Sequence, residues 1–307
     1  MNPSTPIRHD LLYHGRLAGF RMGLSYVLAT DLVNDAVLRH DCDPLAAHLL
    51  GRAIGGGLLL SGVLHRDERY NLRWQYRGSV RTMLVDVGGD GTLRGFVSPS
   101  QFGDDEMSKE ALFGDGGQVT VVRSRGGQVL NSGTVQSILH DVVDDLGYYL
   151  SISDQVETVM TVLIAFNPDP ARPVKLVRGL MLQALPDTDM EQFDRIREEL
   201  QHERVRAMLA QASEPGDLLP RLVEALAREE IDAPELEYTA APRPRFECTC
   251  NQEKMGVVVR SLSYADRMDI LQKGEPLRIN CRFCNHDYVM TMEDCRAAWT
   301  GSGKAGE

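Results

Sequence analysis

The hydrophobic pattern before Pro186 alternates between strand-like and helix-like segments. Apolar and β-branched residues that alternate or run together between turn signals predict strands at residues 79–87, 93–98, 119–124, 128–135, 155–166 and 179–185. Helical spacing of apolar residues predicts helices at residues 46–60 and 135–150. Because glycine-rich turns join neighbouring strands as hairpins, the pattern is typical of an α+β fold with a mainly antiparallel sheet.

After Pro186, helical spacing predominates. The spacing of residues 190–209 predicts one helix. A Glu-Pro-Gly sequence at 214–216 then breaks the helical pattern, and residues 218–228 predict a second, shorter helix. Prolines then predict an extended connector, at positions 234, 242 and 244. We therefore expect a core domain, a helical linker and a small C-terminal domain, which span residues 1–186, 187–244 and 245–307.

Negative charge is concentrated in the predicted linker. The 307-residue chain carries a net charge of −11, and residues 187–239 alone hold 15 Asp and Glu against 6 Arg and no Lys. The ordinary explanation is a solvated helical face. The alternative is a segment that its own charge repulsion leaves only marginally folded. Nucleic-acid binding requires a basic face, so the acidic balance argues against that class of function.

Composition places the chain among ordinary globular proteins, with 43% hydrophobic and 25% charged residues. We find no secretory signal at the N-terminus, and the longest uncharged apolar stretch, residues 53–64, is too short to span a bilayer. We therefore expect a cytoplasmic protein that has no membrane partner. In that compartment thiols stay reduced, which favours metal ligation or redox sensing over permanent disulfides.

Four cysteines near the C-terminus carry the strongest chemical signal. They form two close pairs separated by 30 residues, Cys248 with Cys250 and Cys281 with Cys284. Two such pairs can supply four thiolates to one tetrahedral Zn²⁺, at about 2.3 Å from each sulfur. This ligand set leaves no open position for a catalytic water, so it disfavours a metalloenzyme.

The C-x-C spacing of the first pair leaves two interpretations open. An extended C-x-C places its Cα atoms about 7 Å apart, whereas a disulfide prefers about 4.4–6.8 Å. A bridge between Cys248 and Cys250 therefore needs a bent backbone, and a strained bridge is easily reduced. Zinc also keeps cysteines as thiolates, the form that peroxide attacks. An inert structural zinc and a redox switch are both compatible with this chemistry.

Other candidate residues receive ordinary roles. His286 is not needed as a metal ligand because the tetrad is complete, and Cys42 and Cys295 are expected to be unremarkable thiols. Asn285, directly after the second pair, is expected to adopt a left-handed conformation. The three consecutive glycines at 55–57 lack the residues of a phosphate loop and more simply permit close packing. We find no catalytic triad or carboxylate pair, and we predict no enzymatic activity.

At this point the residues resemble a known family. The segment 242–250 (PRPRFECTC), the 30-residue gap, the Cys281-Arg-Phe-Cys284 pair and Tyr288 look like the zinc module of the redox-regulated chaperone family of heat shock protein 33, the 33 kDa chaperonin. Residues 180–186 (LMLQALP) are similar to the strand that closes that family's core domain, and residues 49–60 resemble its early helix. The resemblance covers nearly the whole chain.

The resemblance implies a redox-activated, ATP-independent holdase. In the reduced state one Zn²⁺ is bound by Cys248, Cys250, Cys281 and Cys284, and the protein is inactive. Oxidation then pairs Cys248 with Cys250 and Cys281 with Cys284, zinc is released, the small domain unfolds and the linker is destabilised. The exposed apolar surface binds unfolding client proteins, and the active form is a homodimer. The alternative function is a zinc-ribbon module that binds nucleic acid or a protein through a purely structural zinc.

The chain departs from the family's pattern beside the cysteines. Glu247 precedes Cys248 where a basic residue is expected, Asn251 and Gln252 replace a small and a basic residue, and Asn285 replaces glycine. A carboxylate beside a cysteine disfavours the thiolate, so Glu247 is expected to slow oxidation of Cys248.

The acidic linker is expected to depend on docking for its structure, because self-repulsion destabilises it. Undocking would release its apolar side chains for client binding, at Ile196, Leu200, Val205, Leu209, Leu219, Leu222 and Leu226. The acidic face would keep the resulting complex soluble.

Neutralising the linker should therefore delay activation. Amide replacement of its Asp and Glu residues removes the repulsion, so a higher peroxide concentration should be needed to suppress aggregation of a client protein. Light scattering of a heated client over a peroxide series measures this shift. Activation of the neutralised protein at the wild-type dose would show the hypothesis to be wrong.

Overall fold

The computed structural model of the chain describes residues 10–103, 107–211, 214–228 and 234–300. Its contacts divide the chain into two compact units, Met1–Phe246 and Glu247–Glu307. The boundary falls between Phe246 and Glu247, just before the first cysteine pair. The three-part division into core, linker and C-terminal domain stays a prediction.

The first unit contains two sheets whose strands pair mainly antiparallel. The five-stranded sheet has the order β10-β1-β2-β9-β8. Its strands are β1 (Leu11–Ala18), β2 (Met22–Leu28), β8 (Thr158–Phe166), β9 (Val174–Ala184) and β10 (Glu235–Ala240). The six-stranded sheet has the order β11-β5-β4-β3-β6-β7, and only the β11–β5 pairing is parallel. Its strands are β3 (Glu68–Tyr76), β4 (Thr82–Gly88), β5 (Thr92–Ser98), β6 (Gly117–Arg125), β7 (Gln128–Gln136) and β11 (Arg245–Phe246).

Helices of the first unit fall into a core group and a linker group. The core helices are α1 (Thr30–Arg39), α2 (Pro44–Leu60), α3 (Lys109–Phe113) and α4 (Val142–Ile152), and a 3₁₀ turn (Ser61–Val63) follows α2. The linker helices are α5 (Met190–Gln201), α6 (Glu203–Ala210) and α7 (Pro215–Leu226). With its antiparallel sheets and interspersed helices, the chain has the predicted α+β fold.

Helix α2 packs against both sheets, and its glycines make this possible. A Cβ atom on Gly55 would lie 2.6 Å from Val162 Cγ1 of β8, and one on Gly57 would lie 2.9 Å from Val85 Cγ1 of β4. Real Cβ atoms do not approach other atoms this closely, so only glycine fits. The close packing predicted for the three glycines is confirmed.

The same helix is the chain's most apolar segment. Together with the 3₁₀ turn, Pro44–Val63 is long and apolar enough to cross a membrane by length and composition, but 78% of its most apolar stretch is buried inside the structure. A buried core helix passes the same test of length and composition, so this segment is weak evidence for a membrane span.

The linker helices cover one face of the five-stranded sheet. Strand β9 divides its side chains between two clusters: Val177 and Met181 pack with α2, whereas Leu180 and Leu182 pack with α5, α6 and α7. All seven linker side chains predicted to be released on undocking belong to this second cluster and are at most 2% exposed. The linker is therefore folded and docked in this structure. We call the sheet surface beneath it, formed by Met22, Leu24, Tyr26, Leu180 and Leu182, the linker-covered face.

Several predicted boundaries are corrected by the structure. The helix predicted at residues 135–150 begins only at Val142, because β7 extends through Gln136 and Asp141 caps the helix by accepting hydrogen bonds from Val143 N and Asp144 N. The helix predicted at 190–209 is two helices, interrupted at His202. The predicted extended connector contains β10, which pairs with β1 in the antiparallel register Tyr13↔Ala240 to Ala18↔Glu235.

The second unit is a small arrangement of helices around one hairpin. Its elements are α8 (Gln252–Arg260), α9 (Tyr264–Lys273), β12 (Leu277–Cys281), β13 (His286–Met290) and α10 (Met292–Thr300). Within the residues described there, the buried apolar cluster consists of Met255, Val259, Met290, Cys295 and Ala298. The indole of Trp299 donates a hydrogen bond of 2.9 Å to Val259 O, which joins α10 to α8.

Substitution of the α2 glycines should destabilise the first unit. Gly55→Ala forces a methyl group into Val162, and overpacking of this kind costs about 1–3 kcal/mol, despite alanine's better helix propensity. Gly147→Ala in α4 is the matched control, because a Cβ atom at this position would lie 3.7 Å from its nearest neighbour, which is an ordinary van der Waals contact. That control should gain up to about 1 kcal/mol from helix propensity. Urea unfolding of the reduced proteins measures both changes, and equal stability of the two variants would contradict the packing argument.

Candidate metal centre

The β12–β13 hairpin positions the second cysteine pair. Cys281 ends β12, and its carbonyl accepts hydrogen bonds from Cys284 N at 3.2 Å and Asn285 N at 2.7 Å. These bonds fold the backbone back so that both sulfurs lie on the same side of the turn. Asn285 has φ of +56°, the left-handed conformation predicted for it. Its side-chain oxygen accepts a hydrogen bond from Asn280 Nδ2 at 3.0 Å.

The first pair precedes α8 and is fixed by the start of that helix. Asn251 caps α8 by accepting a hydrogen bond from Lys254 N at 2.9 Å. Gln252 donates to Val289 O at 3.0 Å and so ties the helix to β13. The Lys254 ammonium donates to Thr249 O at 2.6 Å, which holds the residue between the two cysteines. The two residues that depart from the family's pattern, Asn251 and Gln252, thus have structural roles here.

These elements bring the four predicted ligands together. The four sulfurs all lie within 4.8 Å of one another. Cys248 Sγ lies 3.8 Å from Cys281 Sγ, and Cys250 Sγ lies 3.3 Å from Cys284 Sγ. A tetrahedron with metal–sulfur distances of about 2.3 Å has edges of about 3.8 Å. The sulfurs therefore fit one tetrahedral ion, and the donor set suits a metal that prefers thiolates, such as Zn²⁺.

The electrostatics of the cluster favour a bound cation. Burial opposes ionisation of Cys250, but hydrogen bonds from Tyr288 and the neighbouring thiols lower its pKa to about 7. Burial raises the pKa values of Cys281 and Cys284. Four thiols in one half-buried space cannot all become anions without a positive partner. A divalent metal would supply that charge, so the arrangement has the properties of a site that could hold a metal ion.

Tyr288 is a supporting residue whose role the sequence did not reveal. Its hydroxyl donates a hydrogen bond of 3.1 Å to Cys250 Sγ, and this bond raises the pKa of Tyr288 to about 12. The sequence marked Tyr288 only as an aromatic residue after the second pair. His286 lies beside it, with ring centroids 4.7 Å apart, and is outside the sulfur cluster.

The other two cysteines lie in different surroundings. Burial raises the pKa of Cys42 to about 12, and burial also raises the pKa of Cys295. Cys42 packs against the core of the first unit and Cys295 belongs to the apolar cluster of the second. Both therefore have the unreactive character expected of ordinary buried thiols.

Comparison with known proteins decides the family. The family model described as Hsp33 protein matches residues 10–291. The chain belongs to the Hsp33 family. Among its curated relatives, the 33 kDa chaperonin of Geobacter sulfurreducens is 29% identical over 272 residues, 87% of each chain. The 33 kDa chaperonin of Bacillus subtilis is 26% identical over 290 residues, which cover 92% of this chain and 94% of the relative.

A solved structure has the same fold. The crystal structure of the 33 kDa chaperonin (heat shock protein 33 homolog) from Thermotoga maritima matches with a TM-score of 0.80 and 24% sequence identity. The match covers 96% of this chain and 99% of the other. Membership of the Hsp33 family supports a chaperone function for the chain.

Loss of a sulfur or of its supporting hydroxyl should weaken metal binding to different degrees. Cys250→Ser removes a ligand and should leave a protein that loses zinc readily and is partly active or unstable. Tyr288→Phe keeps all four sulfurs and should cost about 10–100-fold in zinc affinity, as outer partners of metal ligands do. Competition with a metallochromic chelator measures both affinities.

The matched control for these variants is Cys42→Ala, which removes a thiol in the other unit. Its zinc content and affinity should equal those of the wild type. If Cys250→Ser retains zinc as tightly as this control, the assignment of Cys250 as a ligand is wrong.

Proposed function

We propose that this Hsp33-family protein is a cytoplasmic, ATP-independent holdase controlled by the redox state of its metal centre. It is inactive when reduced with one Zn²⁺ bound, and active after oxidation. The observation that carries the proposal is the pairing of two features in one chain. One is a cluster of four sulfurs within 4.8 Å; the other is an apolar sheet face covered by the linker helices.

The switch step is oxidation of the four cysteines. Each disulfide forms when a pair of thiolates loses two electrons to one molecule of hydrogen peroxide, which takes up two protons from the solvent and becomes two molecules of water. Two peroxide molecules thus convert Cys248, Cys250, Cys281 and Cys284 into two disulfides, with Cys248 joined to Cys250 and Cys281 to Cys284. A disulfide sulfur is no longer a thiolate ligand, so oxidation removes the metal's donors.

When bound, Zn²⁺ links the two cysteine pairs and contributes folding free energy to the second unit. That unit needs the contribution because its buried apolar cluster is small. Phe246 ends the first unit and lies two residues before Cys248. Loss of order around the cysteines would therefore begin next to β11, the short strand that follows the linker in the chain.

Undocking of the linker would uncover apolar side chains both on the sheet and on the linker helices. The sheet would expose the linker-covered face, and the helices would expose Phe193, Ile196 and Leu200 among others. These side chains would form contiguous apolar surfaces rather than scattered apolar residues, and large apolar patches mark interaction sites. Unfolding client proteins present matching apolar segments, so they are the partners we propose, with homodimerisation of the active form.

Ion pairs join the linker to the core in the docked state, and two of the following three balance an acidic residue of the linker. Arg16 pairs with Glu237 at 2.7 Å, Arg21 with Asp187 at 2.7 Å, and Glu157 with Arg197 at 2.6 Å. These pairs are exposed, and exposed pairs contribute little to stability. The apolar contacts therefore account for most of the docking free energy, and the unpaired acidic residues remain available to keep a client complex soluble.

Zinc release and holdase activity should appear together. The reduced protein, incubated with peroxide at raised temperature, should lose zinc and gain the ability to suppress aggregation of a heated client protein, because both follow from oxidation of the same sulfurs. A chelator dye reports the zinc, and light scattering reports the aggregation. The same protein heated without peroxide is the control and should keep its zinc.

Retention of zinc throughout, with no gain in activity, would overturn the proposal and favour the alternative of a binding module with a structural zinc. Zinc release without holdase activity would separate the metal chemistry from the chaperone function and would also count against the proposal.

A further inference from the structure

A buried arginine interrupts the linker-covered face. Arg178 lies on β9, where its register partners are Leu28 on β2 and Leu163 on β8. It has the same orientation as Leu180 and Leu182, which point toward the linker helices. Its side chain is 0% exposed, although arginine is seldom fully buried. A charge at this position needs a specific reason, because burial of an ion is costly unless polar groups surround it.

The linker supplies those polar groups. Arg178 Nη1 donates a hydrogen bond of 3.2 Å to Leu209 O and another to Gln211 O. Leu209 lies in the last turn of α6, which ends at Ala210. The final carbonyl groups of a helix have no amide partners within the helix and carry partial negative charge. Arg178 thus provides hydrogen bonds and a positive charge where the end of α6 needs both.

The side chains around Arg178 are mainly apolar, and Tyr26 lies among them. Burial raises the pKa of nearby Tyr26 to about 12, although the charge of Arg178 opposes this shift. Tyr26 is itself 0% exposed and belongs to the cluster formed by the sheet and the linker helices. In such surroundings a hydrogen bond to a charged group is stronger than on the surface.

We propose that Arg178 is a positioning residue that fixes α6 on the sheet and sets how readily the linker undocks. This inference rests on the proposed function and adds to it a specific residue of the core. Apolar contacts alone tolerate sliding of one surface over another. Two carbonyl groups that converge on one guanidinium define a single position for the end of α6. Without the guanidinium, the buried carbonyl of Leu209 would lose this donor, which favours the undocked state.

Hydrogen–deuterium exchange of the reduced, zinc-loaded protein tests the role of Arg178. In Arg178→Met, which keeps the length of the side chain but removes its donors, amides of α6 and α7 should exchange about tenfold faster. Amides of the six-stranded sheet should exchange at the wild-type rate, and zinc content should not change. The same variant should suppress client aggregation at a lower peroxide dose than the wild type.

Two further variants complete the test. Arg206→Met, an exposed arginine on α6 itself, is the matched control and should behave as the wild type. Arg178→Lys keeps the charge but has no fork-shaped group of donors, so its exchange rates should lie between those of the wild type and Arg178→Met. If Arg178→Met does not fold, exchange in Arg178→Lys decides the question.

The deciding variant is Arg178→Met, or Arg178→Lys if Arg178→Met does not fold. Unchanged or slower exchange of α6 and α7 in that variant would overturn the proposal, because the arginine would then not hold the linker in place. Faster exchange throughout the first unit would reduce Arg178 to a general structural residue and would overturn it as well. Faster exchange confined to α6 and α7 without any holdase activity would support the role of Arg178 and count against the proposed chaperone function instead.

Discussion

A sheet with two apolar faces must be covered on both sides, and the first unit is organised by this constraint. Helix α2 packs on one face of the five-stranded sheet, and the linker helices pack on the other. Strand β9 therefore has few polar side chains in its central part, as is typical of strands buried on both faces. The two coverings differ in kind: α2 is enclosed between both sheets, whereas the linker helices lie over the five-stranded sheet alone.

The second unit differs in that it has few apolar side chains to bury. Its described cluster contains five buried side chains, one of which is a cysteine. A module of this size cannot gain much free energy from apolar burial alone. Four sulfurs that fit one ion offer a second source of stability, which can be withdrawn chemically without altering the sequence. The proposed switch requires two physical features, a second unit that depends on a removable metal and its attachment to the end of the linker.

The parts of the fold that the sequence predicted are those set by neighbouring residues. The β4–β5 and β6–β7 hairpins follow from glycine turns between apolar strands, and the cysteine tetrad follows from spacing alone. Strand β10 was predicted only as a connector, because its acidic residues and flanking prolines hide a pairing with β1, more than two hundred positions earlier. Tyr288 was noted only as an aromatic residue, because a hydroxyl aimed at a sulfur is visible only in three dimensions. Arg178 did carry a signal, a lone charge in the apolar run of residues 176–182.

The pairing of β1 with β10 also determines how late in synthesis the first unit can complete its fold. During synthesis the ribosome releases β1 early, yet the strand that seals its outer edge is among the last parts of the first unit to emerge. Until then the nascent chain presents an open strand edge and an uncovered apolar face, the features that make partly folded chains aggregate. The newborn protein therefore passes through a partly folded form that resembles an unfolding client protein, and completion of the first unit covers that surface.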